Sequence, residues 1–155
     1  MKLSRYLLAG IGLFGLMQVI PYGRNHTNPP KLAEPEWDSP ETRDTFFRLC
    51  RDCHSNETSW PWYSFVAPAS WLVQYDVDEA RSHLNVSEWG RGKQHGEDAA
   101  QMIQDGEMPP SYYVVLHSEA RLTPSQLEQF IKGLQRTFGE PAEDDHSHGH
   151  AGHEH

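Results

Sequence analysis

The chain has 155 residues, a formal net charge of -9 and two cysteines. That charge argues against nucleic acid as a partner, and two cysteines so close together cannot build the disulfide framework of a small secreted fold. Both ends look non-globular, which leaves roughly 110 residues for one small domain.

At the N-terminus Lys2 and Arg5 form a positive start, and residues 6–20 follow without a charge. The run is short for a membrane span and long for a signal-peptide core. The small residues of a cleavage site are missing, because Gln18, Val19, Ile20 and Pro21 stand where they would lie. Residues 1–21 are therefore expected to be an uncleaved signal anchor, a single-pass helix in a bacterial inner membrane. A cleaved signal and a buried helix are the competing readings. With the positive residues inside, everything after Pro21 faces the periplasm.

Residues 22–37 hold Pro29, Pro30 and Pro35 among scattered polar residues and read as an extended linker. A domain is expected over 38–139. Asp38 or Ser39 can cap a first helix, with Pro40 in its opening turn, that runs through Phe46, Phe47 and Leu49 into Cys50. A second helix starts near Pro68 and passes Trp71, Leu72 and Tyr75 toward His83. A third covers about 96–105 and stops at Gly106. The last is the clearest: Thr123 and Gln126 make a capping box, and Leu127, Phe130, Ile131 and Leu134 fall on one helical face. Phe46 and Phe47 are expected to pack against Phe130, Ile131 and Leu134. Residues 112–116 are apolar and ambiguous, and no alternating strand is present. Residues 140–155 are acidic and His-rich, cannot bury apolar surface, and read as a disordered tail.

Cys50-Arg51-Asp52-Cys53-His54 is a C-x-x-C-H sequence, the pattern of covalent c-type haem attachment. Two thiols one helical turn apart can add to the two vinyl groups, and the adjacent histidine then binds iron as the proximal ligand. The motif uses both cysteines, ends a predicted helix and follows an export segment. A thiol–disulfide site is the duller alternative, but it prefers a βαβ setting. A zinc site would need further ligands that the folded part does not offer at suitable spacing. For the second axial position Met108, in Gly106-Glu107-Met108-Pro109-Pro110, is the leading candidate, since a proline-stiffened loop can turn its sulfur inward. His117, His83, His95 and an open site are the others, and Met102 reads as core. Asn56, Tyr63, Arg81, Arg91 and Lys93 are candidate partners of a haem propionate. Trp60, Trp62, Tyr63, Trp71 and Trp89 are expected to pack around the macrocycle or fill the core. In the tail, His146, His148, His150, His153 and His155 are weak candidates for loose metal binding.

Several stretches together carry a family likeness. They are Asn28-Pro29-Pro30, Leu49 through Thr58, Trp60-Pro61-Trp62-Tyr63, Ala67-Pro68-x-Ser70-Trp71, His83-Leu84-Asn85-x-Ser87-x-Trp89, Gly106 through Pro110, and His117-x-x-Ala120-x-Leu122. They resemble the bacterial haem-binding domain proteins over roughly residues 10–137. The resemblance implies one covalent haem, periplasmic placement and a mostly helical domain; the His-rich tail departs from the family pattern.

These readings give an all-α, cytochrome-c-like domain around one haem c, and a one-electron carrier that works with a redox partner protein in the periplasm or inner membrane. The competing readings are a haem peroxidase or gas sensor with a displaceable distal ligand, and a C-x-x-C thiol oxidoreductase or metal-handling protein.

Overall fold

The computed structural model describes residues 2–92 and 94–139. The expectation for the tail lies outside these residues. The described chain is helical, and among the described residues the only β feature is an isolated bridge between Ala33 and Glu88.

Helix α1 spans Lys2–Met17, 16 residues, and residues 3–16 are exposed throughout. At 1.5 Å per residue it is about 24 Å long, against about 30 Å of hydrocarbon core. No described helix is long and apolar enough to cross a membrane, so the spanning helix expected at 1–21 is not borne out. Just past the end of α1, Gln18 bonds to the domain. Its side-chain amide donates to the Ala67 carbonyl (3.0 Å), and its Oε1 accepts from the Ala67 amide (3.0 Å).

Residues 22–37 are extended, as their composition predicts, but they do not hang free. The Leu32 and Ala33 amides donate to the Ser87 carbonyl at 2.8 and 3.2 Å, and Trp89 N–H donates to Ala33. Trp37 lies against the core, 5.0 Å from the Phe46 ring. Proline and polar content shows that a segment cannot form a helix; it does not show what edge the segment finds.

Helix α2 (Pro40–Leu49) is capped by Ser39, whose side chain accepts from Thr42 N–H. The one-turn α3 is Arg51–His54. Then come α4 (Ala69–His83), α5 (Ala99–Gln104), α6 (Ser111–Leu116) and α7 (Pro124–Phe138), which carries the complete Thr123/Gln126 capping box. The ambiguous run at 112–116 is thus helical. The third predicted helix opens instead as a 3-10 turn over Gly96–Asp98 and stops before Gly106, whose φ of 73° favours glycine.

The core joins Phe46 and Leu49 of α2, Leu84 and Val86, Ala100 and Ile103 of α5, and Phe130 and Leu134 of α7, with Phe47 and Ile131 against its edge. The predicted α2–α7 packing is therefore present. Gly133 sits at the closest approach, where an added Cβ would strike Thr42 of α2.

Candidate haem site

The site is built where α2 ends. Cys50 N–H still donates to Phe46 (2.7 Å), but Cys50 leaves the helical path and opens α3, with His54 N–H donating back to the Cys50 carbonyl (2.8 Å). One turn therefore presents Cys50, Cys53 and His54 together. Its orphan carbonyls are satisfied by side chains: Ser55 Oγ donates to Arg51 and Thr58 Oγ1 to Asp52, both at 2.7 Å.

His54 Nδ1 lies 3.0 Å from the Leu84 carbonyl oxygen. A carbonyl only accepts, so Nδ1 carries the proton and Nε2 keeps its lone pair. Burial holds the imidazole below its usual pKa, so it stays neutral near pH 7. A neutral ring oriented through its other nitrogen is the arrangement expected of a metal-ligating histidine.

Leu84 is itself clamped. Val86 N–H donates to the His54 carbonyl (3.0 Å). Asn85 donates from its amide to Asn56 Oδ1 (2.8 Å), its Oδ1 accepts from Ser87 N–H, and Ser87 Oγ accepts from Asn56 N–H. Asn56 also donates to Glu88 and Pro30, and it is buried. Its side chain is committed to this clamp and is not free for a propionate. Arg81 is similarly committed, donating to the Ser55 carbonyl (2.9 Å) and Thr58 (2.8 Å). Sequence reasoning missed the clamp because its key acceptor is a backbone carbonyl. Arg91 is exposed, and Lys93 lies outside the described residues.

The two thiols are free and half-buried. Burial raises both pKa values, Cys53 to about 12, so neither is a thiolate at neutral pH. That is the opposite of what a thiol–disulfide enzyme needs.

Two tyrosines of helix α6 reach toward the motif and toward α4. Tyr113 donates to Asp52 of α3 (3.2 Å) and Tyr112 to Asp76 of α4 (2.9 Å). Burial pushes the Tyr112 hydroxyl up to about 12, with Asp76 adding to it. Tyr63 is half-buried near Asp52 and Cys53, and its pKa is also raised by burial first. Met108, before α6, packs half-buried against the same core cluster as Cys50 and lines an open pocket with Leu49, Ile103, Val114 and Leu122. His117 stacks on Tyr113 at 3.9 Å. His83 and His95 belong elsewhere: their backbones bond to each other at 2.9 Å, on the Leu84 side, which is the side of Nδ1 rather than of the free Nε2. Met102 is half-buried near the start of the Met108 loop, its carbonyl accepting from Met108 N–H.

The residues present fit a haem. Two thiols and a tautomer-fixed imidazole share one turn. Leu72 and Tyr75 of α4 and Val115 and Leu116 of α6 are large apolar side chains left exposed. Arg51 Nε, Trp60 Nε1 and Trp71 Nε1 are buried donors without a partner among the described residues, groups of the kind a carboxylate accepts from. The aromatics divide: Trp60 stacks on His26, Trp89 meets Phe138 in a tilted pair, and Trp62 is 79% exposed instead of packed. The sequence profile of the haem-binding domain family matches residues 12–136. No curated protein and no solved structure matches the chain.

Proposed function

The chain belongs to the haem-binding domain family, and from that premise we propose that it is a c-type cytochrome that carries one haem by thioether bonds to Cys50 and Cys53, with His54 as proximal ligand. The observation that carries this reading is the pairing of C-x-x-C-H with the His54–Leu84 hydrogen bond. A haem held there supplies a one-electron iron couple. The protein's own part is to keep His54 neutral and oriented, to present Cys50 and Cys53 on the same turn, and to offer the apolar side chains of α4 and α6 to the ring. Met108 is the proposed distal ligand, which suits electron transfer because a saturated iron leaves no room for substrate. The partner is a redox protein in the periplasm or inner membrane, and the N-terminal hydrophobic segment delivers the domain to the outer side of that membrane.

Intact-mass measurement of the chain matured in a host equipped for cytochrome assembly tests the attachment. One added haem is expected, and none in Cys50→Ala/Cys53→Ala. Colourless, iron-free wild-type protein would overturn the proposal. Met108 is tested by the reduced spectrum: low-spin iron that ignores carbon monoxide supports it. A high-spin, carbon-monoxide-binding form would favour the gas-sensing or peroxidase reading, with His117 or His95 as its polar distal residue.

A further inference from the structure

A second group of metal-ligating side chains sits away from the haem turn and is not used by it. His95, Glu97 and Asp98 converge so that their ligand atoms all lie within 4.8 Å of one another. His95 Nδ1 is 3.6 Å from Glu97 Oε1 and 4.0 Å from Asp98 Oδ2. Among the described residues, the imidazole of His95 is the charged or titratable partner that both carboxylates face. The triad rides on the 3-10 turn Gly96–Asp98, and that turn is held in place. A Cβ on Gly96 would come within 2.8 Å of the Phe138 ring, so the end of α7 presses directly on the backbone between His95 and Glu97. His95 N–H donates to the His83 carbonyl at 2.9 Å, which ties the turn to the end of α4 as well.

We infer that His95, Glu97 and Asp98 form a binding site for a late first-row divalent cation, of which zinc is the representative. One nitrogen and two carboxylate oxygens are the donor set of an open tetrahedral site, leaving a fourth position for water or another imidazole. A divalent ion offsets the local negative charge and needs only small side-chain shifts to bring the three donors to bonding distance. The sequence also carries five histidines between positions 146 and 155, which lie outside the described residues.

The tail histidines are themselves candidate zinc ligands, so the test separates the two. In the full-length, haem-loaded chain the five tail histidines are changed to serine, and bound zinc is measured by equilibrium dialysis with metal analysis. The expected result is one zinc per chain, weakened at least about tenfold by His95→Gln and by Glu97→Gln, with Glu79→Gln unchanged and the haem spectrum intact in every variant. If the tail-serine chain binds no zinc, or if His95→Gln leaves binding unaltered, the triad is not a metal site. Because the readout is zinc stoichiometry, its failure is distinct from failure of haem attachment.

Discussion

Glu34 shows how one side chain fixes a segment that composition left undefined. Its carboxylate accepts two hydrogen bonds from Arg43, at 2.7 and 2.9 Å, and one from Trp37 Nε1 at 2.9 Å, so it ties residues 31–37 to α2 beside the core. The Arg43 guanidinium, aided by Lys31 and Trp37, holds its pKa at about 2, well below the ordinary 4.5. A carboxyl with a depressed folded pKa stabilises the fold above its unfolded value and loses that contribution as pH falls toward the folded one. The window is therefore about pH 4.5 down to 2. Arg43 is 38% exposed, so solvent screening limits the worth of the pair to about 1 kcal/mol. Glu34→Gln should lower stability by about that amount at pH 7 and by nothing near pH 2, read from thermal melts at both. An equal loss at the two pH values would rule out the ion pair as the cause.

At the level of elements, the α2–α7 crossing depends on Gly133. Glycine inside a helix usually costs about 1 kcal/mol relative to alanine, so Gly133→Ala would be stabilising if propensity decided. Here the new methyl would meet Oγ1 and Cγ2 of Thr42, a buried residue, and steric overlap wins. The expected loss is about 1–3 kcal/mol, or several degrees in Tm for a domain this size. Adding Thr42→Ala should return part of it, because the two sites are in contact. A Gly133→Ala protein that melts higher than wild type would refute the close approach. The helices at this crossing were legible in the sequence because Ser39, Pro40, Thr123 and Gln126 mark their starts and the apolar spacing marks their faces. The approach distance was not, since it depends on which residue of α2 happens to face Gly133. The site divides in the same way. Cys50, Cys53 and His54 are adjacent in sequence and could be read directly. The carbonyl that orients His54 lies 30 residues away, and a backbone acceptor has no residue-type signature. The apolar run at the N-terminus predicted a membrane-spanning helix over 1–21, whereas α1 covers only Lys2–Met17 and is too short to cross.

Across the whole molecule the apolar surface is unevenly distributed. The core gathers α2, α5 and α7, while the outward faces of α4 and α6 leave Tyr75 56% and Val115 72% exposed, and α6 buries no residue at all. Helix α6 is tied to α3 and α4 by two tyrosine hydrogen bonds, each worth only about 1–3 kcal/mol to a charged acceptor, so it should be the least protected helix of the domain apart from α1. Large exposed apolar side chains beside a cofactor motif mark a surface that the cofactor is meant to cover, and any group bound only by the folded state adds to stability. Haem attachment should therefore act on the fold unevenly. The loaded chain is expected to melt at least about 10 °C above the colourless Cys50→Ala/Cys53→Ala variant, with the largest gain in amide protection in α6 and little change in α7, whose contacts lie within the core. Hydrogen exchange followed by peptide mass spectrometry resolves the two helices. Equal protection of α6 with and without haem would mean that the macrocycle does not lie against it, and its proposed place against α6 would have to be abandoned.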